Sequence, residues 1–228
     1  MPGALRVPHD EGRATFLAAL DGFVAAVDPL DDHALLAASR CWGWAVVDVV
    51  THVRSGLDEV AAALLGVGAA PGPPDRDAAS YWSGFAPGAA GDPVPGIVAT
   101  RRLGSASRRP SAAVTQLRTV AAALRTGVAR VGEGTLGFQG HVLTTGDFLA
   151  TWAVELAVHQ LDLGRDLEVP GPDAASLALT RRTLEALLEA PLPVADDVHA
   201  VLLGTGRRAP TPDERDRLGQ LADRLPVL

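Results

Sequence analysis

Lysine and asparagine are absent from this 228-residue chain, and cysteine, methionine and tyrosine occur once each. All 20 basic residues are therefore arginine, a bias that looks like a GC-rich coding sequence more than like chemistry. The single thiol, Cys41, excludes an intrachain disulfide and fits a reducing cytoplasm. Aromatics are only 4% of the chain against 47% hydrophobic residues, so the core has to be built from Ala, Val and Leu, which suits close-packed helices. Positive charge is short as well: a formal net charge of −7 argues against nucleic acid and against an anionic membrane as partners. No apolar run reaches about 18 uncharged residues, and the first residues lack a basic stretch followed by an apolar one. A soluble cytoplasmic protein, monomeric or homodimeric, is the expectation.

What is present reads as helices. Residues 10–28 carry Phe16, Leu17, Leu20, Phe23, Val24 and Val27 at the spacing of an amphipathic helix that ends before Pro29. Residues 31–40 form a short helical turn leading into Cys41-Trp42-Gly43-Trp44. A second helix is expected over 45–65, where a 3.6-residue apolar period outweighs the β-branched character of its first turns. Residues 66–95 are rich in Gly, Ala and Pro, with one apolar patch at Tyr81-Trp82-Ser83-Gly84-Phe85, and read as a long surface excursion. The third helix begins near Pro110 and runs to about 131, and residues 132–143 contain an extended piece. Pro170 and Pro172 mark the start of a C-terminal appendix with helices at 173–189, 196–203 and 212–225.

The chain is organised around residues 144–167, which read as one helix with Thr145 as N-cap and Asp147 in its first turn. Glu155 and His159 are four residues apart and so leave the same face one turn apart. Apolar neighbours surround Glu155, and a buried carboxylate needs a partner. A divalent metal shared with His159 would supply one, since carboxylate oxygen and imidazole nitrogen are ordinary zinc ligands. The competing reading is an edge carboxylate meeting an Arg, beside a packed histidine. His52 is the candidate third ligand, two turns into the second helix among Val49, Val50 and Val53. Bundle cores commonly hold metals, and three protein ligands leave the open position of a catalytic zinc.

Two stretches carry a resemblance. Cys41-Trp42-Gly43-Trp44-Ala45-Val46-Val47-Asp48-Val49-Val50-Thr51-His52 resembles the C-P-G-W-T-V-x-D-L-V-x-H-L opening helix of the mycothiol-dependent maleylpyruvate isomerase family, within the wider DinB-like group. Glu155-Leu156-Ala157-Val158-His159-Gln160-Leu161-Asp162-Leu163 is similar to its E-x-V-x-H-x-x-D-L segment. A weaker likeness at Leu203-Gly204-Thr205-Gly206-Arg207 is similar to an L-x-G-R turn of relatives. The resemblance implies a mainly α, DinB-like four-helix bundle over residues 1–168, with a small C-terminal domain, helical or α+β, over 169–228. It implies that His52, Glu155 and His159 hold a divalent metal, usually zinc, and act in catalysis with mycothiol or a similar low-molecular-weight thiol.

The implied activity is thiol transfer to a small electrophile or thiol-assisted isomerisation. The alternatives are a metal-dependent enzyme that uses no thiol and a non-catalytic binding protein. Arg207 is a candidate for holding a carboxylate of the thiol or substrate, against a plain solvated Arg, and Gly56 for leaving room beside the metal, against close helix packing. Asp162 is either an acceptor orienting a ligand or an ordinary helix charge. Cys41 reads as a buried structural thiol, no His or Asp being expected beside it. Three departures stand out: Trp42 replaces the family's Pro, Ala45 its capping Thr, and Trp152 an Arg found in many relatives. Trp152, one turn before Glu155, should look into the space above the metal, with Trp42 and Trp44 at the mouth of the same pocket. That arrangement would favour a bulky, largely apolar electrophile over a small diacid.

Overall fold

The apolar stripes of the chain face one another in a computed structural model that describes residues 3–89 and 91–228. In chain order the elements are α1 (His9–Val27), α2 (Val46–Leu64), α3 (Val94–Gly104), α4 (Ser111–Val128), a hairpin of β1 (Thr135–Phe138) and β2 (His141–Thr144), α5 (Thr145–Leu163), α6 (Ala174–Leu188), α7 (Asp197–Gly204) and α8 (Pro212–Leu218). Helices α1 and α2 each pack against both α4 and α5, which makes the four-helix bundle. Helix α6 lies on α5 and α1, α7 lies on α6 and α5, and one continuous apolar core runs through all of them. Among the described residues no helix is long and apolar enough to cross a membrane.

Helix α5 is the axis of the molecule. Every one of its residues is buried except Glu155, as expected of a helix that is enclosed on all sides. Its cap is Thr144 and not Thr145: the Thr144 Oγ1 accepts from the Asp147 N–H at 3.0 Å, and the helix ends at Leu163, short of residue 167. Asp147 accepts in turn from the Thr144 hydroxyl and from the Val7 N–H, both at 2.8 Å, so the cap also ties down the chain entering α1. At the start of α2, where Ala45 offers no side-chain cap, the carboxylate of Asp48 accepts from the Ala45 N–H at 2.9 Å.

The crossing of α1 and α5 depends on two glycines. A Cβ on Gly12 would stand 2.3 Å from the carbonyl oxygen of Gly146, and a Cβ on Gly146 would stand 2.2 Å from that of Val7. Backbone cannot yield as a side-chain tip can. Gly146→Ala should therefore cost about 1–3 kcal/mol or more through overpacking, read as a lower midpoint in thermal unfolding. An unchanged midpoint would show that the helices can separate freely.

Three elements differ from the sequence-based expectation. Helix α3 follows the long excursion where no helix is expected; none of its residues is buried, and it rests on the outer side of α2. The extended piece is a full hairpin whose two-residue turn has Gln139 at φ 47° and Gly140 at φ 81°. Positive φ at both central residues is the turn that matches strand twist. The last helix stops at Leu218 and continues as a 3₁₀ turn over Gly219–Arg224. The patch at Tyr81–Phe85 lies within a second such turn, Ser80–Phe85.

Candidate metal centre

His52 on α2 reaches across the bundle to Glu155 on α5. Its Nε2 is 3.0 Å from Glu155 Oε1, and His159 Nε2 is 3.1 Å from the same oxygen. The three ligand atoms all lie within 4.8 Å of one another. His159 Nδ1 is 2.9 Å from Asp162 Oδ2, and Asp162 is fully enclosed. Burial opposes ionisation of Asp162, but the hydrogen bond from His159 and the charge of Arg207 outweigh it and hold its carboxyl well below the usual range. An ionised Asp162 accepts from Nδ1–H, so the imidazole hydrogen is placed there.

The Nε2 lone pair of neutral His159 then faces a carboxylate oxygen, one acceptor against another, and a cation is needed between them. Without a metal that cation is a proton. Burial works against charge on the imidazole, yet the carboxylate of Glu155 and the hydrogen bond to Asp162 raise His159 well above the ordinary histidine range. Glu155 is correspondingly lowered, its own burial overcome by His159 and His52. Two imidazoles, one carboxylate and a carboxylate behind one imidazole are the donor set of a divalent metal with an oriented ligand.

A second trio, Cys41, His159 and Asp162, also lies within the same reach. It suits a cation less, because Arg207 already occupies Asp162, with Nε 3.1 Å from Oδ1 and Nη2 3.2 Å from Oδ2. A fixed guanidinium repels a metal ion at that position. Arg207 is thus no solvated surface residue; its side chain is 20% exposed and pinned to the fully buried Asp162.

Cys41 is the clearest correction. Its Sγ is 3.0 Å from Asp162 Oδ2 and 3.8 Å from His159 Nδ1, so the thiol has both a His and an Asp beside it. Those partners lie more than a hundred residues away in sequence and leave no local signal.

Two cavities meet the centre from different sides. One, of about 260 Å³, is lined by His52 and Glu155 together with Gly56, Glu59, Tyr81, Trp82, Phe85, Gln139 and Trp152. The other, of about 590 Å³, is lined by His159 with Arg40, Cys41, Trp42, Trp44, Phe85 and Arg207. Trp152 does look toward the centre, but Trp42 and Trp44 border the second cavity and do not share its pocket. Trp42 is 76% exposed, whereas Trp44 packs its ring 5.0 Å from that of His52. The room expected at Gly56 is taken by Trp152 itself, whose ring would lie 2.4 Å from a Cβ there. Sequence reasoning missed Glu59, Gln139 and the aromatic patch as neighbours of the centre. The patch alone carried a signal, three aromatic residues in five in a chain otherwise poor in them.

Fold and site together define a mainly helical, DinB-like bundle with a His-Glu-His centre between two of its core helices. Within that class the chain belongs to the mycothiol maleylpyruvate isomerase N-terminal domain family, whose profile it matches over residues 16–164. That membership ties it to mycothiol-related, isomerase-like chemistry. No curated protein and no solved structure matches the chain.

Proposed function

We propose that this protein is a zinc-dependent thiol transferase or isomerase that uses mycothiol or a similar low-molecular-weight thiol on a small electrophile. The observation that carries the reading is the pair of imidazole Nε2 atoms directed at one oxygen of Glu155, with the far side of His159 held by Asp162. His52, Glu155 and His159 would hold the metal, which supplies an open position at which a thiol is favoured as its nucleophilic thiolate.

The remaining work falls to side chains. Asp162 keeps the His159 hydrogen on Nδ1 and so keeps Nε2 directed inward. Arg207 holds Asp162 in place, and with Arg40 it gives the larger cavity a basic wall suited to a carboxylate of the thiol co-substrate. Residues 169–228 act in this reading as a small C-terminal domain whose Thr205–Arg207 turn closes that cavity over the bundle of residues 1–168.

The test is direct. Purified protein should carry about one divalent ion per chain. With zinc, mycothiol and a panel of electrophiles it should form adducts or isomers detectable by mass, and chelation should stop both. Undiminished turnover in thiol-free buffer would replace this reading with a metal-dependent activity that uses no thiol.

A further inference from the structure

The smaller cavity beside His52 and Glu155 has uncommon walls. Tyr81, Trp82, Phe85 and Trp152 line it, four of the ten aromatic residues in the whole chain (four Trp, five Phe, one Tyr). No Arg lines it, and apart from the centre's own His52 and Glu155 its ionisable groups are Tyr81 and Glu59. The polar groups at its rim are largely spent on each other. The Tyr81 hydroxyl donates to Gln139 Oε1 at 2.9 Å, and Gln139 Nε2 donates to Glu59 Oε2 at 3.2 Å. What a ligand meets is aromatic surface, with negative ring faces, the indole N–H of Trp82, which has no partner among the described residues, and the carboxylate of exposed Glu59, while the Ser55 and Thr151 hydroxyls donate to their own helices. A dianion entering there would lose its hydration with no guanidinium in the lining to replace it and with the carboxylates of Glu59 and Glu155 facing it beside the imidazole of His52. The guanidinium groups of Arg40 and Arg207 border the other cavity.

We propose that the smaller cavity is the electrophile's subsite and that it selects an uncharged, planar, conjugated or aromatic electrophile over a dicarboxylate, with Glu59 as the residue that turns dianions away. The proposal rests on the thiol-transfer reading for the identity of the centre, but it concerns binding and is measured without turnover. Tyr81 and Trp152 are nearly enclosed and supply the flat walls, while Phe85 is 46% exposed and can be truncated with little risk to the fold.

The experiment titrates the full chain, metal-loaded and metal-free, with cinnamamide as neutral aromatic probe and maleate as dianion, in a calorimeter at physiological salt. In the metal-free form cinnamamide should bind at least roughly tenfold more tightly than maleate, a difference of about 1.4 kcal/mol, and metal loading, which adds an open cationic position, should narrow the gap. Phe85→Ala should weaken cinnamamide and leave maleate unchanged. Glu59→Arg should raise maleate affinity by roughly five- to tenfold, by replacing a repulsive charge with an attractive one. In the metal-free protein, equal affinities in the parent, no binding of either probe, an unchanged ratio in Glu59→Arg, or an unaffected Phe85→Ala would each overturn the proposal. The same preparations are assayed for bound metal and for thiol consumption. Loss of the thiol reading would show there, while the binding preference stands or falls on the titrations.

Discussion

Alanine at His159 is expected to strip the centre of metal and to abolish turnover. His159 is the one residue whose two ring nitrogens serve both the Glu155 oxygen and the Asp162 carboxylate, so its loss removes a ligand and leaves the buried Asp162 and the half-buried Glu155 without their shared partner. His52→Ala and Glu155→Ala should have the same effect on metal content. In each case activity should fall by more than the roughly 10–100-fold that loss of a supporting residue costs. Cys41→Ser is the informative comparison. It removes a ligand from the competing trio of Cys41, His159 and Asp162 and none from the His-Glu-His set. Metal analysis should find Cys41→Ser loaded and His52→Ala empty; the reverse pattern would move the metal to the other side of His159.

Arg207→Ala should be among the most destabilising single changes in the chain. Asp162 is fully buried and Arg207 meets it with two nitrogens, so removing the guanidinium leaves an enclosed carboxylate with no fixed positive charge, held only by His159 Nδ1–H and the Cys41 thiol. Breaking one side of such a pair typically costs about 3–5 kcal/mol. Denaturant unfolding should show that loss, and Arg207→Ala combined with Asp162→Asn should recover part of it, because the stranded charge is then gone. Additive losses in the double variant would mean that the pair is not coupled. The pH dependence has a definite sign. Asp162 is held well below the usual carboxylate range, so the contribution of the pair is complete above the unfolded carboxylate pKa and is lost as pH falls through the folded one. The stability gap between parent and Arg207→Ala should therefore be full at neutral pH and shrink in acid. Asp162→Asn alone should also weaken metal binding by about 10–100-fold through His159, which separates its two roles.

The bundle was legible because its helices bury one face. The apolar spacing of α1, α2 and α4 is the direct imprint of that burial, and α6, α7 and α8 announce themselves with Asp173, Asp196 and Thr211 at their caps. Helix α3 was not legible for the same reason: it buries no residue, so nothing obliges its sequence to keep a 3.6-residue period. The hairpin was half legible. Gly140 suits the turn, but Gln139 adopts a positive φ that such a residue rarely shows, and it is held there within the hydrogen-bonded line to Tyr81 and Glu59.

For the centre, sequence by itself determined the pair Glu155 and His159, since helix geometry alone puts residues four apart on one face, and it placed His52 on a helix able to oppose them. It also determined, through two motifs, the family to which the chain belongs. Only the tertiary structure decided that Cys41 and Arg207 converge on Asp162, that Trp152 fills the space at Gly56, and that two separate cavities flank His52, Glu155 and His159. The physical reason is range. Backbone periodicity fixes neighbours within a turn or two of helix, whereas these contacts join segments scores of residues apart, whose meeting depends on how the helices pack.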